Sequence, residues 1–272
     1  MRVFTWLGSL DDAARDAGLP PLDAAEQERA RAFTSGTARA RFGALRRVQR
    51  QLLGDILDVH PGRLVSAYEC PDCGRGAGHG RPGYALTGVG PENSSPQISV
   101  PQNPRPQSLP GVALSASRAG EWGAVVVVTG ADPDFRIGLD LTLEREIFDG
   151  FDDVAVSGPE RDWLRTQEPG ARNAGRAALW AAKEAVAKRD GHGLRTDPSG
   201  IPVLAARGHR RTPAGDATAY APGVVWLEAR AEGLPPHVLT AAVPAAAEGA
   251  FRAAMAGVDR PRRAPAPVNP RG

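Results

Sequence analysis

Trp180-Ala-Ala-Lys-Glu-Ala-Val-Ala-Lys188 holds both lysines of a 272-residue chain that carries 33 basic residues in all. Every other basic residue is arginine, so composition has removed lysine everywhere except here. Lysine is a compact ammonium on a flexible stem, and arginine does not replace it as a point charge or proton donor. The stretch lies within residues 172–190, the strongest helical pattern in the chain, which Gly191 and Gly193 stop. On a helical wheel Trp180, Lys183, Glu184, Ala187 and Lys188 fall in one stripe of roughly 140°. A core face would not mix an aromatic ring with a carboxylate and two amines, and a solvated face would not need Trp180. The stripe predicts a helix face that lines a polar cleft.

Working outward, Arg136-Ile-Gly-Leu-Asp-Leu141 reads as a short strand. An acid in such a strand is costly to bury without a partner, so Asp140 needs one. Gly138 allows another backbone to approach closely. Asp140 and Glu184 together can hold a hard cation, since Mg²⁺ binds through one or two carboxylates with waters and phosphate oxygens. Pro159-Glu-Arg-Asp-Trp-Leu164 begins a helix, with Ser157 as its cap.

Val112–Ser115 and the β-branched run Val125–Thr129 read as strands, and Gly130 ends the second. Residues 23–58 read as helical, with a turn or new N-cap at Thr34-Ser-Gly-Thr37. From Ala38 to Leu57 the apolar residues follow the 3.6 period, and Arg46 and Arg50, one turn apart, can converge on one anion. Ile201–Leu204, Val224–Leu227 and His237–Thr240 look like late strands of a small sheet. The order helix, strands, helix, strands predicts an α+β fold of two similar halves. Residues 1–129 form the first, with a flexible insertion at 88–110, and residues 130–258 the second, followed by a disordered tail at 259–272.

Hydrophobic content of 42% supports a real core, and few aromatics leave it to Val, Leu and Ala. A net charge of +2 argues against a wholly basic nucleic-acid binder. Cys70 and Cys73 are too few for a disulfide scaffold. No apolar run reaches the ~20 residues of a membrane span. The start turns acidic at Asp11-Asp12, too early for a signal peptide. These readings predict a cytoplasmic protein that partners neither nucleic acid nor membrane.

The combination of Ile137-Gly-Leu-Asp140 with the Trp180–Lys188 helix resembles the 4'-phosphopantetheinyl transferases, in particular the larger group acting on polyketide and nonribosomal peptide carrier domains. Arg41-Phe42 with Arg46, Arg50 and Leu53-Gly54 resembles the family's N-terminal arginine helix. Cys70-x-x-Cys73-Gly and His79-Gly-Arg-Pro82 resemble its loop, and Leu114-Ser-Ala-Ser117 its next strand. The resemblance implies a pseudo-twofold monomer with the active site in a cleft between two subdomains. It implies transfer of 4'-phosphopantetheine from coenzyme A to a serine of an acyl or peptidyl carrier protein, a holo-[acyl-carrier-protein] synthase activity that releases 3',5'-ADP. Asp140 and Glu184 would bind Mg²⁺, with Mn²⁺ as the alternative, and Thr142 would join through its hydroxyl or a water. Glu184 and Lys188 would be catalytic. Arg46, Arg50, Arg81, Ser115 and Lys188 would contact coenzyme A, and Lys183 would be structural or electrostatic.

Two positions depart from the family pattern. Thr142 stands where a second acid is usual, and Glu144 could compensate only if the strand bends. Ala116 stands where a histidine touches a phosphate, a loss of ~1.5–3 kcal/mol for a charge-assisted contact. The alternative reading is a non-catalytic homologue that binds coenzyme A or a carrier domain as a regulatory module. Cys70, Cys73 and His79 supply three ligands where zinc usually wants four, so the cysteines read as loop thiols or a labile redox pair ahead of a zinc site.

Overall fold

The structure, a computed structural model, describes residues 1–68, 81–87, 107–191, 193, 197–204 and 221–256. In chain order its elements are β1 (Arg2–Ser9), α1 (Leu10–Arg15), α2 (Ala24–Arg31), α3 (Gly36–Leu57), β2 (Leu64–Ser66), β3 (Tyr84–Leu86), β4 (Gln107–Ser108), β5 (Val112–Ala119), β6 (Trp122–Thr129), β7 (Gly138–Leu143), α4 (Phe151–Ala155), α5 (Gly158–Thr166), α6 (Arg172–Asp190), β8 (Val224–Trp226), β9 (His237–Ala242) and α7 (Glu248–Ala256). Helix and sheet are mixed, as expected of an α+β chain. No described helix is long and apolar enough to cross a membrane.

The described strands form three antiparallel sheets, ordered β1–β6–β5, β2–β3–β4 and β7–β9–β8. Central strand β6 is buried on both faces. Val125 and Val127 pack with Leu10 of α1 and Leu45 and Leu53 of α3. Val126 and Val128 enter a second core with Leu139 and Leu141 of β7 and Phe251 of α7. A strand covered on both sides needs no polar alternation, which is why Val125–Val128 is an unbroken β-branched run.

β7 is also buried throughout, but its faces differ. Leu139, Leu141 and Leu143 enter the second core, which leaves Gly138, Asp140 and Thr142 on the other face. There α6 crosses. A methyl group added at Gly138 would lie 1.8 Å from the Ala185 carbonyl oxygen and 2.6 Å from the Arg189 nitrogen. The close approach expected at this glycine is therefore that of a helix backbone. Ala177, Ala178, Ala181, Ala182 and Ala185 make it feasible, because their side chains are short and buried.

β5 and β7, each an edge strand of its own sheet, meet through side chains. Ser115 Oγ accepts the Leu139 N–H at 2.9 Å, and Ser117 Oγ donates to Asp140 Oδ1 at 2.8 Å.

Several local readings find direct counterparts. Ser35 caps α3 by accepting from Ala38 N at 3.2 Å. Ser157 and Glu160 form a capping box on α5. Gly191, at φ +82°, ends α6 with its N–H on Ala187 O at 3.0 Å. Strand β1 and helix α1 were not legible in advance; β1 pairs with β6 along its whole length, a tertiary reason for a strand. Residues 107 and 108, read from sequence as part of the insertion at 88–110, form β4 and pair with β3, while residues 88–106 lie outside the described residues.

The expected strand at Ile201–Leu204 is replaced by a 3₁₀ turn at Pro198–Gly200 and an isolated bridge at Leu204. The reason is Lys183. Its ammonium is fully buried, lies 2.8 Å from Glu160 and donates to the carbonyls of Pro198 and Ile201 at 2.9 and 2.7 Å. The Val203 N–H turns to Glu160. Side chains take the backbone groups that a ladder would have used. Burial pushes the Lys183 amine below its usual range, and Glu160 acts in the opposite direction.

Candidate active site

Asp140 is the junction of three elements. Its Oδ1 accepts from Lys188 Nζ of α6 at 2.6 Å and from Ser117 Oγ of β5 at 2.8 Å, and its Oδ2 accepts from Thr142 Oγ1 at 2.8 Å. These donors offset the cost of burying its charge. Lys188 also donates to Ser117 Oγ and to the Leu139 carbonyl, each at 3.1 Å. Glu184 Oε2 stands 3.9 Å from the same ammonium, and Glu184 accepts no hydrogen bond among the described residues. Burial raises the Glu184 carboxyl above its usual range; Lys188 draws it back and Asp140 pushes it further up.

These groups line one side of a cavity of about 460 Å³. One wall is aromatic: Phe148 meets Phe151 edge-on at 5.7 Å between ring centres, and Phe151 meets Trp180 likewise at 5.7 Å. The far side is basic. Arg29, Arg46 and Arg118 line it over the rings of Phe33, Phe42 and Tyr68. Arg46 is only 8% exposed; its Nη1 donates to Gln49 Oε1, while its Nε is buried without a partner, as is Nη1 of Arg29. None of the three pairs with a carboxylate among the described residues. Burial lowers the Arg118 guanidinium below its usual range, and the charges of Arg46 and Arg29 lower it further. Three converging guanidiniums with open donors are complementary to a phosphate.

Residues 136–228 match the 4'-phosphopantetheinyl transferase superfamily. No curated protein matches the chain. The superfamily segment runs from just before β7 to just after β8 and carries Asp140, Thr142, Glu184 and Lys188. The arginines of the basic side all lie outside it.

Of the residues singled out by sequence, Asp140, Thr142, Glu184, Lys188 and Arg46 line this cavity. Arg50, Arg81 and Ser115 are not brought to it. Arg50 is buried against Glu26, lies 3.1 Å from Asp23 and donates to the Pro21 carbonyl, so its charge is already spent. The spacing of one turn that suggested convergence with Arg46 holds, but the partners differ. Arg81 donates to the carbonyls of Arg189 and Asp190 at 3.1 and 2.5 Å, groups that a helix C-terminus leaves open. Ser115 is occupied by Leu139 N–H. The wheel stripe also divides: Trp180, Glu184 and Lys188 face the cavity, while Lys183 and Ala187 are buried behind it.

Three charged lining residues were not singled out, Arg29, Arg118 and Glu146, nor were Ile147, Phe148 and Phe151 of the apolar wall. Arg118 had a signal, since it shares a strand face with Ala116 two residues earlier. Glu146 had none, because β7 ends at Leu143 and a 3₁₀ turn, Glu144–Glu146, carries Glu146 rather than Glu144 to the cavity. Cys70, Cys73 and His79 lie outside the described residues, as does the tail from residue 257.

Among the described residues no group of three or more His, Cys, Asp or Glu side chains gathers as a metal site. The donor chemistry still suits Mg²⁺. Asp140, Glu184 and Thr142 offer hard oxygens only, and Mg²⁺ takes one or two protein carboxylates and completes its shell with water and phosphate. Glu184, half-buried and without a hydrogen-bond donor among the described residues, is the carboxylate that gains most from a cation.

Proposed function

We propose that this chain transfers the 4'-phosphopantetheine arm of coenzyme A to a serine hydroxyl of an acyl or peptidyl carrier protein. The observation that carries the reading is one cavity with two poles. The Asp140–Glu184–Lys188 pole lies in the superfamily segment, and an arginine pole that pairs with no carboxylate among the described residues faces it from elsewhere in the chain. Coenzyme A has matching chemistry: a diphosphate at one point and a phosphate monoester at another. The division of the chain near residue 130 belongs to the same proposal. Each half supplies a helix packed on a three-stranded sheet, α3 on β1–β6–β5 and α6 on β7–β9–β8.

In this reading Arg29, Arg46 and Arg118 seat the monoester phosphate. Asp140 and Glu184, with Thr142 directly or through a water, would hold Mg²⁺, which would supply positive charge against the diphosphate. Glu184, directly or through a water it orients, takes the proton of the attacking serine. The serine oxygen bonds to the phosphorus that bears the pantetheine arm, and the phosphate–phosphate linkage breaks. Lys188 meets the negative charge that collects on the departing 3',5'-ADP. The aromatic wall of Phe148, Phe151 and Trp180 borders the space left for the arm.

Incubating the protein with coenzyme A, Mg²⁺ and an apo carrier domain tests this directly. Transfer raises the carrier's mass by one phosphopantetheine arm. Glu184→Gln and Lys188→Ala each remove most of that gain without unfolding the chain. A carrier of unchanged mass with the wild-type protein, alongside measurable coenzyme A binding, would establish the non-catalytic alternative instead.

A further inference from the structure

The two carboxylates of the acidic pole are unequally served. Asp140 receives Lys188, Ser117 and Thr142. Glu184 receives no hydrogen bond among the described residues, and Lys188 Nζ stays 3.9 Å away. One ammonium is committed to one acid and leaves the other short. Lys188 is partly exposed to the cavity and its stem is flexible. The helix that carries it is not free to adjust, because α6 is seated on Gly138. Any redistribution of charge here falls to the Lys188 side chain.

We propose that Lys188 occupies the cation seat of Asp140 while the site is metal-free and gives it up when a divalent ion arrives, so that loading the ion releases the ammonium toward a bound anion. This rests on the reading above in which Asp140 and Glu184 share that ion. An ion held by both acids competes with Lys188 for Oδ1 and repels the ammonium at short range. It also gives Glu184 the close partner it lacks among the described residues. Lys188 then swings within the cavity that the arginine pole faces, where a phosphate would lie. The contact expected between Lys188 and the leaving group therefore forms only after the ion is in place, which makes Lys188 a gate on binding order as well as a charge donor.

The composition supplies the probe. With only two lysines, protein labelled with ¹⁵N on its lysine side chains gives two ammonium resonances. Lys183, buried against Glu160 and two carbonyls, serves as the reference and as a report on folding. Mg²⁺ alone is titrated into the full chain, with calorimetry in parallel. The expected result is a shift and faster solvent exchange of the Lys188 resonance, saturating at the Mg²⁺ concentration at which the heat saturates, with Lys183 unmoved. In Glu184→Gln the Lys188 resonance stays at its metal-free position through the concentrations that release it in wild type. In Asp140→Asn it starts displaced and does not respond.

Saturating heat with a stationary Lys188 resonance overturns the exchange but leaves the transferase reading intact. No heat and no shift overturn both the exchange and the ion site. Release of Lys188 by Mg²⁺ in a protein that transfers nothing to a carrier sinks the transferase reading alone.

Discussion

Replacing Gly138 with alanine adds one methyl group at the point where the two acids are brought into register. That carbon would meet the Ala185 carbonyl oxygen at 1.8 Å, and the neighbouring atoms, the Arg189 nitrogen at 2.6 Å and the Ala185 carbon at 2.8 Å, are also backbone. No rotamer change relieves such a contact. Ordinary contact begins at 3.4 Å, so α6 must back away by about 1.6 Å, an overpacking strain at or above the top of the usual ~1–3 kcal/mol. For a chain of this size a loss of ~3 kcal/mol lowers Tm by roughly 6–12 °C. The same displacement stretches the Lys188–Asp140 contact from 2.6 Å to about 4 Å, past hydrogen-bonding range. It carries Glu184 away from β7 as well, and a misplacement of this size in a reacting site costs about 10²-fold in rate. Urea unfolding and the carrier mass assay measure the two effects separately. A Gly138→Ala protein with wild-type Cm and wild-type transfer would refute the claim that helix-on-strand contact sets the geometry of the site.

Lys183→Met leaves Glu160 buried and unpaired and should cost about 3–5 kcal/mol in urea unfolding, whereas Lys183→Met with Glu160→Leu should recover part of that; equal losses would show that the pair is not coupled. Arg118→Ala should weaken coenzyme A binding about tenfold or more by calorimetry while weakening 3'-dephospho-coenzyme A much less, because only the former carries a monoester phosphate; equal weakening would remove Arg118 from that phosphate. Glu184 has a carboxyl raised by burial, so its neutral form suits the fold, and the stability it supports is present at low pH and lost as pH rises through the raised value. Metal-free Glu184→Gln should therefore melt higher than wild type at pH 8, with the gap closing as pH falls below the ordinary 4.5. Calorimetric Mg²⁺ affinity should fall on acidification with a midpoint above 4.5, because a protonated Glu184 cannot hold the ion, and a midpoint below it would mean that burial does not govern this group in the metal-free protein.

How much of this was legible in the sequence depended on whether the cause of a feature was local. The caps at Ser35 and Ser157 and the stop at Gly191 are written in short-range hydrogen bonds, and the chain follows them. The periodic helix at 36–57 and the β-branched run in β6 are patterns of burial that a window of residues can show. Strand β1 and the turn at 198–200 are set by partners more than a hundred residues away in the first case and by a buried ammonium in the second. No window contains those causes.

The candidate site divides along the same line. Asp140, Glu184 and Lys188 could be read because each breaks a local rule: an acid in a buried strand, charges beside a tryptophan on a helix. Arginines break no rule in a chain where nearly every cation is arginine, so choosing among them required coordinates. Arg50 and Arg81 had the right type and spacing, but one meets Glu26 and the other the end of α6. Arg29 had nothing to distinguish it and Arg118 only the strand face it shares with Ala116; in the structure neither pairs with a carboxylate among the described residues.

The two lysines make the point within a single helix. Five residues place them about 140° apart around the axis, at opposite margins of one broad stripe. One margin turns inward, where Glu160 and two carbonyls claim Lys183 completely; the other opens on the cavity, where Lys188 meets Asp140 with its stem still free to move. A wheel shows that both belong to one face, but the boundary between scaffold and chemistry runs through that face. What fixes the boundary is the position of β7, and β7 can lie where it does only because residue 138 has no side chain.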